Sequence, residues 1–239
     1  RHAGRRVCVQ SCSLQPLILT GAGPTHFRGG PALAWPPVTH DHYFTAQPAS
    51  ADERRTVAVR LMGRDVSVEV APGIFSPGGL DKGTQVLLDE VPNPPPTGTF
   101  LDLGCGWGPI ALSMAMLAPE ATVHAVDVNE RSLDLTSRNA DRLGLNAIRT
   151  ALPDDVPDEV TFDLIWSNPP IRIGKAALHD LLRRWLPRLG AHGTAYLVVQ
   201  RNLGSDSLAA WIERELGMPC ARLASHKGFR VLEVRRERP

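Results

Sequence analysis

Leu101-Asp102-Leu103-Gly104-Cys105-Gly106-Trp107-Gly108 is the stretch on which the fold turns. An apolar run, Phe100–Leu103, hands over to glycines at every second position, and Pro109–Leu117 then reads as a helix with proline at its first position. Glycines at such a strand-to-helix turn allow a tight bend and close backbone approach by a ligand. A dinucleotide fingerprint needs glycine at the third site of G-x-G-x-x-G, but position 109 is proline.

Outward from this turn, strands and helices alternate as they do in a parallel sheet. The C-terminal side predicts strands at Thr122–Val128, near Ile148–Leu152, at Phe162–Ser167 and at Thr194–Gln200. Helices are expected at Glu130–Leu143, capped by Asn129 and stopped by Gly144, and at Lys175–Leu186, with Leu178, Leu181, Leu182 and Trp185 on one face. A helix at Ser207–Leu216 and two antiparallel strands, Cys220–Ser225 and Phe229–Arg235, complete the chain around His226-Lys227-Gly228. On the N-terminal side, Thr56–Leu61 and Asp65–Val70 alternate at period two around Gly63-Arg64, a β-hairpin pattern. A Gly-rich turn from Phe75 to Thr84 leads into a short helix, Gln85 to Glu90, and Pro92-Asn93-Pro94-Pro95-Pro96 forms a stiff linker. The expectation is an α/β protein: a hairpin and Gly-rich-loop subdomain over 42–96, then a ligand-binding domain over 97–239.

Residues 1–41 carry Arg, Pro and Gly, no acid before Asp41 and no sustained period. An Arg-rich, acid-free leader resembles an organellar transit peptide. The preferred expectation is a disordered leader, or upstream sequence joined by a misassigned start near Val38, with folded sequence beginning near His42-Tyr43-Phe44.

The 239 residues suit one large domain or one domain with an extension, and 43% hydrophobic with 21% charged residues is ordinary for a soluble globular protein. A net charge of +1 means that a nucleic-acid partner must be met by a local patch rather than a global field. Cys8, Cys12, Cys105 and Cys220 lack zinc-ligand spacing and suggest no disulfide framework, so a reducing, cytoplasmic compartment and no metal are expected. No apolar run approaches the ~18 residues of a membrane span.

A second motif, Trp166-Ser167-Asn168-Pro169-Pro170-Ile171-Arg172-Ile173-Gly174-Lys175, follows the fourth strand. Two prolines fix φ and remove two donors, so the carbonyls of Asn168 and Pro169 are expected to point outward with no ladder to join. Asn168 adds a side-chain oxygen that can accept from a substrate amine. An amine held by two acceptors is aimed with its lone pair free; the plainer alternative is a strand-ending proline turn.

The D-x-G-C-G-x-G spacing resembles motif I of class I S-adenosylmethionine (SAM) methyltransferases, and N-P-P after the fourth strand is the arrangement of their amino-group enzymes. With Gly73-Ile74-Phe75-Ser76, Leu80-Asp81-Lys82-Gly83-Thr84 and Lys227-Gly228-Phe229-Arg230-Val231, the wider string resembles the methyltransferase small domain family over roughly 42–236. Within that family it resembles particularly the ribosomal small-subunit RNA guanine-N2 methyltransferases and their single-domain relatives. The family's larger members carry two tandem domains, and only the catalytic one is expected here.

The resemblance implies a Rossmann-like seven-stranded sheet and SAM as cofactor. Its cofactor side would comprise Asp102, Gly104, Cys105, Gly106, Trp107, Gly108, Asp127, Val128, Asp154 and Asn168. Asp102 would meet the methionine ammonium and Asp127 the ribose hydroxyls, charged hydrogen bonds worth ~1.5–3 kcal/mol each; Asp127 as a helix-start residue is the alternative. Asp154 is an adenine candidate shifted from the usual pattern, equally readable as a solvated loop charge. Asn168, Pro169 and Pro170 would hold the reacting amine.

Position 171 is Ile where the wider N-P-P pattern has an aromatic, which argues against adenine-N6 and glutamine-amide enzymes. Phe75 or Phe229 could stack instead, and Ile171, Arg172, Lys175, Lys82 and Arg230 would form the substrate surface, with the cations on phosphates. The expected reaction is methyl transfer to a guanine N2 amine in ribosomal RNA, free or in the small ribosomal subunit. Alternatives are a protein glutamine-amide or small-molecule amine methyltransferase and, as a non-enzyme, an RNA-binding assembly factor with a relict cofactor fold.

Overall fold

Several apolar runs, each followed by a segment of helical period, bury both their faces when they form a parallel sheet between two layers of helices. The computed structural model of the protein, which describes residues 52–236, has that architecture. The expected leader at 1–41 and the expected start of folded sequence at 42–44 lie outside the described residues.

A two-stranded hairpin, β1 (Arg55–Leu61) and β2 (Arg64–Val70), precedes α1 (Lys82–Glu90). Then come β3 (Thr99–Leu103), α2 (Pro109–Leu117), β4 (Thr122–Val126), α3 (Glu130–Leu143), β5 (Ile148–Ala151) and β6 (Phe162–Ser167). They are followed by α4 (Lys175–Trp185), β7 (Leu189–Gln200), α5 (Ser205–Trp211), β8 (Cys220–His226) and β9 (Phe229–Arg235). Seven strands form one sheet in the order β5-β4-β3-β6-β7-β9-β8. Strands β3 to β7 are parallel, and β9 and β8 close the edge antiparallel. This is the Rossmann-like seven-stranded sheet with an N-terminal hairpin that the sequence predicts. Chain order reverses between β3 and β6, so the crevice that such sheets use for ligands opens at the C-terminal ends of these two strands.

Side-chain alternation divides the core. Phe100, Trp166 and Val198 face the layer containing α1, α2 and α3. Leu101, Ile165, Leu197 and Val199 face α4 and α5, where Leu182, Trp185 and Trp211 are buried. Fully burying a side chain such as Phe100 is worth about 1.5–3 kcal/mol. Helix α2 is buried from Pro109 to Ala115, as its almost uninterrupted apolar sequence requires.

Helix α1 lies over β7 and β9, whereas the hairpin is fastened to α3 through Asn139. The Asn139 amide donates to the carbonyls of Glu69 (3.0 Å) and Trp107 (2.9 Å) and accepts from the Glu69 N–H (2.6 Å). Asn129 and Arg131 donate to the carbonyls of Gly73 and Pro72, at 2.8 and 2.7 Å. The Gly-rich loop is thereby pinned beside the turn that follows β3.

Several boundaries differ from expectation. Helix α1 begins at Lys82 rather than Gln85, because the Asp81 carboxylate caps it by accepting from the N–H groups of Gly83 and Thr84. Strand β4 stops at Val126, and Asp127 leaves the ladder to bind backbone donors instead. Strand β7 begins at Leu189, which pairs with Phe162 across an irregular register. The first hairpin turns on Met62-Gly63, both at positive φ, and Arg64 already pairs with Leu61.

Candidate active site

The turn after β3 reverses direction on three glycines at positive φ, Gly104 (82°), Gly106 (58°) and Gly108 (95°). They serve different needs. A Cβ on Gly104 would meet nothing within 4 Å, so this bend borders open space, whereas one on Gly108 would lie 2.9 Å from Thr136 Cγ2. The N–H groups of Gly104 and Cys105 donate to the Val126 carbonyl at 2.8 and 3.1 Å, and the Gly106 N–H donates to Asp127 Oδ2 at 2.9 Å.

Asp102 lies under this turn with no solvent exposure. Its Oδ2 accepts from the Ala111 N–H at 2.9 Å, while Oδ1 is buried without a partner. Burial pushes its pKa up to about 8, against the Ala111 hydrogen bond that favours the charged form; the nearby Asp127 adds to the rise. Asp127 is raised too, chiefly by burial, although three backbone N–H groups favour its ionised form.

The chain leaves β6 through Ser167, whose hydroxyl donates to the Leu103 carbonyl at 2.7 Å. Asn168 follows, and its Nδ2 donates to Asp81 Oδ2 at 2.9 Å and to Thr84 Oγ1 at 3.0 Å. A carboxylate only accepts, so the amide nitrogen must face Asp81 and the amide oxygen is the unanchored prong. The Pro169 carbonyl, expected to have no ladder to join, takes a local partner instead: it accepts from the Ile171 N–H at 2.8 Å. Pro170, at φ −74° and ψ 77°, forms the centre of an inverse γ-turn, which accounts for that bond and leaves one lone pair of the carbonyl available.

Both turns open into one cleft, lined by Phe75, Asp81, Thr84, Gly104, Ile110 and Asn168 among others. Gly104 and Asn168 are therefore on the same side of the sheet.

A profile of the methyltransferase small domain family matches residues 65–233. The chain belongs to that family. It is 32% identical over 199 residues to the YbxB protein of Bacillus subtilis, which covers 82% of this chain and 98% of YbxB. It is 31% identical over 187 residues to a protein of Acinetobacter baumannii named ribosomal RNA small subunit methyltransferase C, covering 74% of this chain and 53% of that protein. This chain thus spans about half the length of that relative. Among solved structures, the chain is similar to the T. thermophilus 16S rRNA N2 G1207 methyltransferase (RsmC) in complex with AdoMet and guanosine. The TM-score is 0.64 at 22% identity, over 80% of this chain and 52% of that one, a likeness of fold. A methyltransferase small domain of this kind is a class I, SAM-dependent methyltransferase, and SAM is its cofactor.

The small-domain cleft has chemistry suited to that cofactor. Asp102 Oδ1 is buried and unpartnered beneath the turn, outside the cleft lining, and the open face of Gly104 admits a ligand without a Cβ in the way. Cys105, Gly106 and Trp107 also line the cleft. The Cys105 thiol is buried beside the Thr136 hydroxyl (3.5 Å), and burial raises its pKa. The Trp107 ring is buried with its N–H on the Gly79 carbonyl at 3.3 Å. Asp127 is engaged as a helix-start residue: Oδ2 accepts from the Gly106 N–H and Oδ1 from the Asn129 N–H, both at 2.9 Å. Val128 is 40% exposed beside it.

Other expected residues are dispersed. Asp154 pairs with Arg184 at 2.6 Å on an exposed turn and does not line the cleft. Arg230 is mostly buried, donates to the Ser205 hydroxyl at 3.2 Å and pairs with Asp206 at the start of α5. Phe75 lines the cleft and Lys82 is exposed on the first residue of α1. Ile171, Arg172 and Lys175 line a neighbouring groove with Val199, Leu203 and Ser207. His179 also borders that groove, stacked on Trp211 at 3.7 Å between centroids. The sequence reading missed Asp81 and Thr84 as site residues; their signal was a cap pattern, D-x-G-T, inside the Gly-rich turn.

Proposed function

We propose that the protein methylates the exocyclic N2 amine of a guanine in ribosomal RNA, with the small ribosomal subunit as the target particle and a cytoplasmic location. The observation that carries this reading is the anchored Asn168 carboxamide, facing the cleft that also contains the Gly104 turn. The RNA target draws on the similarity to the relative named for ribosomal RNA methylation, and the guanine amine on the Asn168–Lys175 string with Ile171 in place of an aromatic.

Residues in the cleft and behind the glycine turn divide the tasks of this scheme. Asp102 would hold the cofactor's ammonium, Asp127 its ribose hydroxyls, and the Gly104–Gly106 backbone its amino-acid end. Bound SAM supplies an electrophilic methyl: the amine nitrogen forms the new N–CH3 bond as the S–CH3 bond breaks, S-adenosylhomocysteine leaves, and the amine proton passes to water. Asn168 Oδ1 accepts from one N–H of the guanine amine, and the remaining lone pair of the Pro169 carbonyl accepts from the other. An aromatic exocyclic amine stays nearly neutral, so the residues position it rather than deprotonate it, and orientation alone can be worth ~7–11 kcal/mol. The base must be unpaired or flipped, at a cost of a few kcal/mol. Arg172 and Lys175 would meet phosphates next to the target.

Methylation of undermodified ribosomal RNA with labelled SAM, followed by nucleoside mapping, tests this. The expected product is N2-methylguanosine, abolished by RNase and by Asn168→Ala. Label on a protein amide, insensitive to RNase, would overturn it.

A further inference from the structure

We infer that Asp81 is a positioning residue for methyl transfer: its carboxylate, with the Thr84 hydroxyl, locks and polarises the Asn168 carboxamide. This rests on the reading of Asn168 as the group that receives the acceptor amine.

One carboxylate oxygen, Asp81 Oδ2, accepts three N–H bonds: from Gly83 (2.8 Å), from Thr84 (3.2 Å) and from Asn168 Nδ2 (2.9 Å). The first two form an ordinary helix cap. The third has no capping purpose, because it reaches a side chain 87 positions away on the other wall of the cleft. Thr84, only 3% exposed, supplies a second acceptor to the same Nδ2 at 3.0 Å. With both Nδ2 hydrogens engaged, the amide cannot flip without presenting its oxygen to the Asp81 carboxylate, which has no hydrogen to donate; the Thr84 hydroxyl could serve either orientation, so Asp81 sets the direction.

Polarisation follows from the same contact. A carboxylate bonded to the nitrogen end of an amide draws electron density toward the oxygen end, as linked hydrogen bonds reinforce one another in a water-poor site. The amine gains positive charge as it takes the methyl, so a more negative Asn168 Oδ1 stabilises that stage more than the neutral ground state. Gly83 is needed for this close approach. A Cβ there would stand 2.9 Å from Asp81 Oδ2, 3.0 Å from Phe229 Cε1 and 3.2 Å from Asn168 Nδ2.

Three variants separate bracing from capping. Asp81→Ser keeps a good N-cap, but its shorter side chain no longer reaches Asn168. Asp81→Asn keeps a neutral acceptor, and Thr84→Val removes one acceptor at nearly constant volume. Steady-state kinetics with RNA and SAM, SAM affinity by calorimetry and the unfolding midpoint are measured for each variant beside Asn168→Ala. The expected result is a kcat about ten- to a hundredfold lower for Asp81→Ser, the range of a lost charged hydrogen bond. Partial rescue is expected in Asp81→Asn and a smaller loss in Thr84→Val, with SAM affinity and unfolding midpoint falling much less than kcat does. Two results would overturn the inference while leaving the reading of Asn168 intact: an unchanged kcat in Asp81→Ser while Asn168→Ala is inactive, or a kcat loss matched by equal losses in SAM affinity and midpoint. Full activity in Asn168→Ala would remove both.

Discussion

Ser167 Oγ donates to the carbonyl oxygen of Leu103 at 2.7 Å, and this bond ties the end of β6 to the end of β3. The backbone pairing of the two strands runs from Phe100↔Leu164 to Asp102↔Trp166. One residue later both chains turn away, Leu103 into the glycine turn and Ser167 into Asn168. The hydroxyl continues the ladder by one rung where the backbone no longer can, and Ser167 is fully buried there. It sets the spacing between the two walls of the cleft.

Ser167→Ala should therefore cost about 1–3 kcal/mol of stability, since it leaves the Leu103 carbonyl buried and unsatisfied. Because the loosened distance is the one methyl transfer crosses, kcat should fall further than SAM affinity does. Urea unfolding with parallel kinetics checks this, and equal losses in kcat and SAM affinity would count against it.

Asp102 should make the unliganded protein pH-sensitive in an unusual direction. Its folded pKa of about 8 lies above the unfolded value, so the native state binds more protons across that interval. Its contribution to stability is then complete below the unfolded pKa near 3.8 and is lost as pH rises through about 8. Binding an ammonium group at Oδ1 would favour the carboxylate, so SAM binding near pH 7 should release about one proton and tighten as pH rises toward 8. Calorimetry in buffers of different ionisation enthalpy measures the release. Asp102→Asn should abolish it and flatten the stability profile.

Gly83→Ala inverts the usual expectation for a helix. An alanine in a helix is normally favoured over glycine by about 0.5–1 kcal/mol, and Gly83 has no positive φ to defend. The new Cβ would nonetheless stand 2.9 Å from Asp81 Oδ2, too close without a shift, and would crowd Phe229 and Asn168 at 3.0 and 3.2 Å. Displacing the Asn168 amide by a fraction of an ångström should lower kcat about tenfold or more. The unfolding midpoint should change far less.

The parallel core was legible because burial on both faces writes strands such as Phe162–Ser167 as apolar runs, and because α3 carries its own punctuation at Asn129 and Gly144. The start of β7 was not, since Leu189-Gly190-Ala191-His192-Gly193 neither alternates nor forms a continuous apolar run, and its pairing with Phe162 comes from the sheet rather than from local preference. The end of β4 was extended too far because Val128 is apolar, although it is exposed in the fold. At the site, Gly104 and Asn168 were legible as local motifs. Their brace was not: Asp81 announces a cap four residues before the start of the predicted helix, and nothing local shows that the same oxygen reaches Asn168. Arg230 misled for the converse reason, because its string matched the family while its charge is taken up by Asp206.

Arg172 and Lys175 differ from Arg230 in that respect. Both are exposed, and neither has an ion-pair partner among the described residues. They line the groove beside the Asn168–Pro170 turn, with Ile171 between that turn and Arg172. With a net charge of only +1, the chain offers little long-range attraction for a polyanion, so these two cations should carry a measurable share of RNA affinity. For single-stranded RNA, each lost phosphate contact lowers the slope of log affinity against log salt by about 0.7. Lys175→Ala should lower the slope by about that amount, and the double variant with Arg172→Ala by about twice it. SAM affinity should stay unchanged, because neither residue lines the cofactor cleft. Binding titrations of unstructured ribosomal RNA fragments at several salt concentrations decide the point: a slope unaltered in the double variant would place the phosphates elsewhere.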